Sequence, residues 1–426
     1  MSGLSGIFSF DYNNDVIDLL QVSLYALQHR GQEGFGIVTI DKDRICELKR
    51  KGLLSEVLNQ QIINDIKGFA GIGLVKYLFS NNTKYEPVMP YIYNTCNGNC
   101  AIAIDGAILN KDFNISDLVG HINGDEEELK SYMNRLEGTY NIIYIDSGKM
   151  VVIRDKYGVK PLCVGELENT VAAVSESCAL DAMNARFIKD IEQAEIFIAE
   201  KGKYRSVYFD KAESHLCFFE MIYIARPDSK IDGVSVYKAR YEMGKRLFEE
   251  CPTQADIVIG SPDSGLVSAR GYAKASGIEF VDGILKNRYI QRTFIKPTQV
   301  ERVASVNIKL NAIVDNIKGK DIILVDDSIV RGTTIKRVIK ILKDAGANKV
   351  HIRIASPKVI SSDKYTIDIP DANKLIGYQK TSDEICRELG CDSLYYLSIE
   401  GLRACCGNKG YYEKYFDGVE LFREEK

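Results

Sequence analysis

The sequence has no apolar run long enough to cross a bilayer and no strong excess of charge of either sign. Its 426 residues include 55 Lys and Arg against 59 Asp and Glu, for a formal net charge of −4. This balance excludes bulk attraction to nucleic acid or to an anionic membrane, so any phosphate-binding cations must be local. The first ten residues also lack the basic start and long apolar stretch of a signal peptide, so we expect a cytoplasmic protein.

A cysteine framework is missing as well. The eleven cysteines are scattered along the chain, which favours free thiols over disulfides or a metal cluster. Cys405 and Cys406 are adjacent, which is a poor geometry for binding one ion together. The sequence has no internal repeat, and its length predicts two domains, each with its own core.

Two patterns divide the chain. Residues 1–210 contain short β-type runs punctuated by Gly, Asn and Asp, with helical patterns near 16–27 and 126–136, which predicts a layered domain with stacked sheets. From 211 to 426 strands alternate with helices, which predicts an α/β domain with a mostly parallel sheet. The polar segment 210–215 is the predicted boundary.

The most informative segment runs from Ile322 to Thr334. A β-branched run ends in Asp326 and Asp327, a loop with Arg331 and a glycine follows, and apolar residues then recur at helical spacing. The free N–H groups at the start of such a helix bind anions, and paired carboxylates can hold Mg²⁺ beside a phosphate. It is not a Walker loop, because no G-x-x-x-x-G-K precedes the threonines. The alternative is an ordinary strand-to-helix turn.

A basic segment lies upstream of the paired acids. It carries Lys286, Arg288, Arg292, Lys296, Arg302 and Lys309. Arginine forks suit pyrophosphate, and a lid over the site would exclude water, so we interpret the segment as a lid over a polyanion. The alternative is a solvated surface loop.

The Asp-Asp-Ser-Ile-Val-Arg-Gly-Thr-Thr loop resembles the phosphoribosyl pyrophosphate (PRPP) loop of type I phosphoribosyltransferases. Read with Leu27–Glu33, Ala225–Ser229 and Lys286–Ile295, it resembles the amidophosphoribosyltransferase family over nearly the whole chain. The resemblance implies an Ntn-type αββα glutaminase domain followed by a type I phosphoribosyltransferase domain. In the family, ammonia from glutamine travels through an internal channel and displaces pyrophosphate from C1 of PRPP, giving 5-phosphoribosylamine.

The resemblance also assigns roles in the second domain. Asp326 and Asp327 would contact the ribose and Mg²⁺, with Ser264 as a weaker candidate beside the metal. Lys286, Arg288 and Arg292 would contact pyrophosphate and act in catalysis. The residues expected to wrap the 5′-phosphate are Ser328, Ile329, Val330, Arg331, Gly332, Thr333 and Thr334.

The first domain departs from the family at several positions. Measured back from His29 without gaps, the family's nucleophilic cysteine falls on Ser5; Ser2 lies three positions out of register. Its substrate-binding arginine becomes Lys76, which keeps the charge but loses the bidentate fork. The family's Asn-Gly pair, which stabilises the oxyanion, becomes Asp105-Gly106 in this chain. An aspartate repels a forming oxyanion, whereas asparagine would donate a hydrogen bond to it. Asp125 would hold the substrate's amino group. These changes predict a glutaminase that has lost activity.

Three further expectations follow from the resemblance. Many relatives bind an iron–sulfur cluster, but only Cys217 of this chain falls on a cluster position, so we expect none. The partners expected are PRPP and either ammonia or a small amine. A separate glutaminase is one source of the ammonia, and we expect a homo-oligomer. The functional alternatives are a non-catalytic PRPP sensor or partner of an active amidotransferase, and a glutaminase that survives through serine.

Overall fold

The computed structural model describes residues 2–42, 44–77, 89–95, 98–287, 310–367, 369, 371–407 and 409–422. In the first half the strands are β1 (Ser2–Ser9), β2 (Gly34–Asp41), β3 (Arg44–Lys51), β4 (Ala70–Lys76), β5 (Tyr91–Thr95), β6 (Gly98–Ile108), β7 (Gly138–Ile145), β8 (Lys149–Arg154), β9 (Cys163–Leu167), β10 (Thr170–Val174), β11 (Arg186–Asp190), β12 (Glu195–Glu200) and β13 (Lys203–Tyr208). The helices are α1 (Ile17–Ala26), α2 (Leu54–Val57), α3 (Gln60–Asp65), α4 (Ile115–Ile122), α5 (Glu126–Arg135) and α6 (Ser177–Ala182), with a 3₁₀ turn at Gln28–Arg30.

Two antiparallel sheets stack in this half. Their strand orders are β11-β9-β10-β1-β4-β2-β3 and β13-β12-β8-β7-β6-β5. A core that includes Leu4, Phe8, Ala103 and Ile143 fills the space between the sheets. Helices α1 and α6 pack on the outer face of the first sheet, and α4 and α5 on the outer face of the second. This αββα layering confirms the predicted first-half fold.

The second half begins with the short strands β14 (Leu216–Cys217), β15 (Lys230–Ile231) and β16 (Val234–Ser235), around a π-helical turn at Glu220–Ile224. The strands that follow are β17 (Ile257–Gly260), β18 (Ile284–Lys286), β19 (Leu310–Ala312), β20 (Asp321–Asp326), β21 (Lys349–Ile354), β22 (Ser393–Tyr396) and β23 (Tyr411–Tyr412). The helices are α7 (Val236–Glu250), α8 (Leu266–Ser276), α9 (Val314–Ile317), α10 (Thr333–Asp344), α11 (Ser382–Leu389), α12 (Ile399–Cys406) and α13 (Lys414–Asp417), with a 3₁₀ turn at Ala372–Lys374.

The main sheet of this half is parallel, in the order β17-β20-β21-β22, as predicted. Helices α7 and α8 pack on one face and α10 and α11 on the other. Ligands in such sheets bind beyond the carboxyl ends of the strands, and β20 ends there at Asp326. None of the helices in the described part of the chain is long and apolar enough to cross a membrane.

Candidate functional site

The paired acids lie at the carboxyl end of β20, and both are almost fully buried. Asp326 is 6% exposed and Asp327 is 8% exposed. Burial, together with the neighbouring Asp327 carboxylate, raises the pKa of Asp326 well above its usual value. The cause is the cost of burying one carboxylate beside another, which a bound cation would offset. Two carboxylates that share such a site are a donor set suited to Mg²⁺.

Hydroxyl groups from two loops converge on Asp327. Ser264, in the loop between β17 and α8, donates a hydrogen bond from Oγ to Asp327 Oδ1 at 2.8 Å. Ser328 Oγ donates to Asp327 Oδ2 at 3.0 Å. A Cβ at Gly265 would lie 2.5 Å from the Val325 carbonyl oxygen, so only glycine lets the two loops approach this closely. The structure thus brings Ser264 to the paired acids.

The predicted phosphate loop encloses a cavity of about 480 Å³. Its lining includes every residue from Asp326 to Ile335, together with Ser264 and Tyr223. Gly332 has φ +79° and precedes α10, whose first residue is Thr333. The exposed Arg331, Thr333 and Thr334 therefore surround the N-terminus of a twelve-residue helix, where free N–H groups and the helix dipole favour an anion.

Replacing Gly332 with alanine should weaken PRPP binding. A Cβ there would lie 2.5 Å from Ile376 Cδ1, and the positive φ disfavours any side chain. We expect about a tenfold rise in the KM for PRPP, or roughly 1.4 kcal/mol, measured by pyrophosphate release. The control is Gly277→Ala, at φ +74° in open space after α8. An unchanged KM in Gly332→Ala, or an equal rise in both variants, would contradict this role of the loop.

The pyrophosphate prediction falls largely outside the described residues. Arg288 and Arg292 lie in the segment 288–309, of which the structure describes nothing. Lys286 is described, at the end of β18, and its Nζ forms an ion pair with Asp263. It lines a second cavity, of about 660 Å³, that shares Tyr223, Pro262 and Ser264 with the phosphate-loop cavity.

This larger cavity is formed by both halves of the chain. His29 and Gln32 come from the first half, and Arg226, Asp263 and Lys286 from the second. Because the two cavities share lining residues, a small molecule between the halves would be next to the phosphate loop. The cavity was not apparent from the sequence, because its lining residues are up to 338 positions apart, from 29 to 367.

The structure does not support Ser5 as the residue in the nucleophile position. Ser5 is fully buried in the middle of β1, paired to Val174 on one side and Gly73 on the other. Its Oγ lies 2.6 Å from Ser23 Oγ on α1. Side chains alternate along a strand, so Ser5 points to the outer helical layer, away from the sheet that carries Asp105.

Ser2, rather than Ser5, shares a face with the other predicted residues. Ser2 and Leu4 lie on the same face of β1, and Leu4 packs between the two sheets. Lys76 on β4 pairs with Ser2, and it lies two residues after Leu74, which belongs to the same core, so the two β4 residues share a face. On β6, Asp105 follows Ala103 at a spacing of two and also faces the layer between the sheets. Gly106, with φ +135°, follows it.

Asp105 forms a buried ion pair that sequence reasoning missed. Lys160 Nζ lies 3.3 Å from Asp105 Oδ1, and the two residues are 3% and 1% exposed. Burial alone would raise the pKa of Asp105, but Lys160 and the more distant Arg30 lower it below its usual value. Asp105 is therefore ionised at neutral pH, and its Oδ2 is buried without a hydrogen bond from the described residues.

Asp125 does not join this group. It caps α5, accepting hydrogen bonds from the N–H groups of Glu127 and Glu128. It shares a surface depression with Lys149, at the start of β8. Asp105 pairs with Asn141 of β7, which in turn pairs with Arg154 at the other end of β8. Arg154 is five residues, or about 17 Å, from Lys149 along that strand. Asp125 therefore lies apart from Asp105, although the resemblance assigns it to the substrate's amino group at the same site.

A buried charge cluster connects the two halves, and sequence reasoning missed it too. The Arg30 guanidinium is completely buried and donates to Glu176 at 2.6 Å and to both carboxylate oxygens of Glu220. Its Nε donates to the Ser2 carbonyl oxygen. His29, whose ring Nε2 lies 2.7 Å from Glu176, connects the cluster to the larger cavity. The motif Gln-His-Arg pointed to the family but not to these partners.

Around Cys217 the structure contains a hydrogen-bonded polar network. The Cys217 Sγ lies 3.5 Å from the Tyr415 hydroxyl. In the same network, Asp363 accepts hydrogen bonds from the hydroxyl groups of Tyr412, at 2.8 Å, and Thr366. Among the described residues there is no group of three or more His, Cys, Asp or Glu side chains that could hold a metal ion.

Comparison with known proteins matches this architecture. A phosphoribosyl transferase domain model matches residues 236–363, and a glutamine amidotransferase domain model matches residues 89–182. The amidophosphoribosyltransferase of Methanocaldococcus jannaschii is 39% identical over 96% of this chain and 95% of its own length. That of Archaeoglobus fulgidus is 39% identical over 96% of each chain.

A solved structure of an enzyme of the same kind is also similar to this chain. Glutamine phosphoribosylpyrophosphate (PRPP) amidotransferase from B. subtilis, complexed with ADP and GMP, has a TM-score of 0.90 and 34% identity, covering 100% of this chain and 98% of that one. With near-complete coverage in both directions and a phosphoribosyl transferase domain around the paired acids, this chain belongs to the amidophosphoribosyltransferase family and is a pentosyltransferase.

Proposed function

We propose that the protein transfers the phosphoribosyl group of PRPP to ammonia, releasing pyrophosphate, and that its first half does not hydrolyse glutamine. The observation that carries the proposal is a contrast between the halves. The second half keeps a complete phosphate loop beside Asp326 and Asp327. The first half has a buried Asp105–Lys160 ion pair, and the resemblance assigns Asp105 to the position of the family's oxyanion donor.

In the transferase half, each group has a distinct task. Ser328 to Thr334 and the N-terminus of α10 would bind the 5′-phosphate, and Asp327, held by Ser264, would orient the ribose hydroxyls. Asp326 and Asp327 would hold Mg²⁺; neutralising charge on the departing pyrophosphate is the chemistry that this ion supplies when bound. Lys286, with Arg288 and Arg292, would bind the pyrophosphate. Ammonia then attacks C1 from the larger cavity, giving 5-phosphoribosylamine.

In the first half, the chemistry of amide hydrolysis lacks its main electrostatic support. A developing oxyanion needs hydrogen-bond donors, and losing one such donor costs about 3 kcal/mol. Asp105 offers a negative charge instead, and Lys160 is already paired with it. Ser2, the serine on the face towards Asp105, would also offer a hydroxyl in place of the family's thiol, and a hydroxyl is hardly ionised at neutral pH. A second enzyme would then supply the ammonia, and a small amine is an alternative acceptor.

The test is pyrophosphate release from PRPP and Mg²⁺, with either ammonium or glutamine as the nitrogen source. We expect turnover with ammonium, and neither pyrophosphate nor glutamate with glutamine. Glutamine-dependent turnover at a rate matching ammonium would contradict the loss of glutaminase activity. Failure with ammonium and every small amine, in a protein that still binds PRPP, would instead favour a sensor.

Two variants locate any residual glutaminase activity. If a serine still acts, Ser2→Ala should abolish glutamate formation, whereas Ser5→Ala should not, because Ser5 points to α1. Intact mass spectrometry should then show that Met1 has been removed, since Ser2 needs a free α-amino group as its base. Neither substitution should change turnover with ammonium.

A further inference from the structure

Helix α11 ends in a turn that brings two cysteines together. Gly390 has φ +74°, the N–H of Cys391 donates to the Cys386 carbonyl oxygen at 3.2 Å, and the N–H of Gly390 donates to the carbonyl oxygens of Arg387 at 3.3 Å and Cys386 at 2.9 Å. This is the hydrogen-bond pattern of a Schellman turn, in which the side chains at the two ends of the turn come into contact. Here both side chains are thiols, and their sulfur atoms are 3.2 Å apart.

The pair has the proximity and access that a disulfide needs. A disulfide bond is about 2.05 Å long, so the sulfurs must approach by about 1.1 Å, which requires the turn that carries them to adjust. Both thiols are half-buried, so a small reagent can reach them. Burial and the adjacent Cys386 thiol raise the pKa of Cys391, so oxidation should become faster as the pH rises.

The turn also contacts the phosphate loop. Leu389, between the two cysteines in sequence, is buried in a core that includes Ile335 of α10 and Ile376. Leu389 Cδ2 lies 3.4 Å from the position that a Cβ would take at Gly332. Gly332 is the positive-φ residue that immediately precedes α10, and it lines the phosphate-loop cavity. A rearranged turn would therefore shift the packing under this loop.

We propose that Cys386 and Cys391 form a reversible disulfide that weakens PRPP binding. The reaction consumes a low-molecular-weight disulfide of the glutathione class. The Cys386 thiolate attacks one sulfur of the reagent, forms a mixed disulfide and releases one thiolate. Cys391 sulfur then displaces the second thiolate, and the thiol protons pass to the two released thiolates. The protein loses two hydrogens, and two thiols are formed. The effect on PRPP rests on the proposed function, whereas the bond itself does not.

The bond is tested by peptide mass spectrometry after incubation of the full-length protein with glutathione disulfide. We expect one peptide pair linked through Cys386 and Cys391, lower in mass by about 2 Da, the two hydrogens lost on oxidation. Cys386→Ser should abolish the link, and Cys405→Ser, the matched control on α12, should keep it. Glutathione adducts without the internal link would overturn the proposal.

The effect on the site is tested by pyrophosphate release with ammonium, before and after oxidation. We expect the oxidised protein to have a KM for PRPP about fivefold higher, the low end of ordinary coupling between sites, and dithiothreitol to restore it. Cys386→Ser should be insensitive to the reagent. A mapped disulfide without a change in KM would overturn the regulatory effect. A reduced protein without turnover would instead contradict the proposed function.

Discussion

Replacing Asp326 and Asp327 together with asparagine should abolish PRPP-dependent pyrophosphate release while making the folded protein more stable. The two carboxylates are the ribose and Mg²⁺ ligands that we propose, and asparagine removes both charges. We expect turnover with ammonium to fall by about a thousandfold or more, corresponding to roughly 4 kcal/mol of transition-state stabilisation. The residual rate is measured by pyrophosphate release at saturating Mg²⁺.

The gain in stability has a defined pH dependence. The pKa of Asp326 is raised in the folded protein, so between its unfolded value of about 3.9 and its folded value the native state binds the extra proton. Asp326 therefore costs no stability below about pH 4, and wild-type stability falls as the pH rises through this window. The asparagine variant lacks this loss, so its advantage in the free energy of unfolding, measured by denaturant, should grow from about pH 4 towards neutrality.

A control at the opposite end of the same strand separates these effects from a general change in charge. Asp321, at the start of β20, forms an ion pair with Lys349. Asp321→Asn removes that carboxylate, and turnover should remain close to wild type. Wild-type activity in the double variant would remove the role assigned to the paired acids. A stability difference that does not change with pH would contradict the raised pKa of Asp326.

The sequence predicted the transferase half well because its signals are local. The alternation of strands and helices predicted for residues 211–426 is what the structure shows, with a parallel sheet covered by helices on both faces. The paired acids, the loop and the helix N-terminus are consecutive in sequence, so one segment of the chain forms most of the phosphate site.

The glutaminase-like half was harder to predict because its contacts are distant. An ungapped count from His29 selected Ser5, but the alternation of side chains along β1 puts Ser2 on the face towards Asp105. The partner of Asp105, Lys160, is 55 positions away, and a single sequence carries no signal for that pairing. Asp125 matched the expected residue type, yet its carboxylate caps a helix at the opposite end of its sheet.

Replacing Arg30 with methionine should destabilise the protein by about 3–5 kcal/mol, the usual result of removing one partner from a buried ion cluster. Glu176 and Glu220 would remain buried, 146 and 190 positions away in sequence, without their shared cation. Because Arg30 connects Ser2 of β1 to Glu220 of the second half, we expect loss of contact between the halves as well as a lower free energy of unfolding. Guanidinium unfolding and limited proteolysis measure the two effects.

The pH dependence of this variant identifies the cause of its instability. Burial raises the pKa of Glu176, but Arg30 and His29 more than offset this, so its pKa is lowered overall. Its stabilising contribution is therefore present above the unfolded value of about 4.3 and is lost as the pH falls. Without Arg30 the pKa of Glu176 should rise, and the difference between variant and wild type should shrink towards pH 4. Arg186→Met, which breaks an exposed pair with Glu166, should leave stability close to wild type at every pH. If Arg30→Met were equally mild, the cluster would not hold the two halves together.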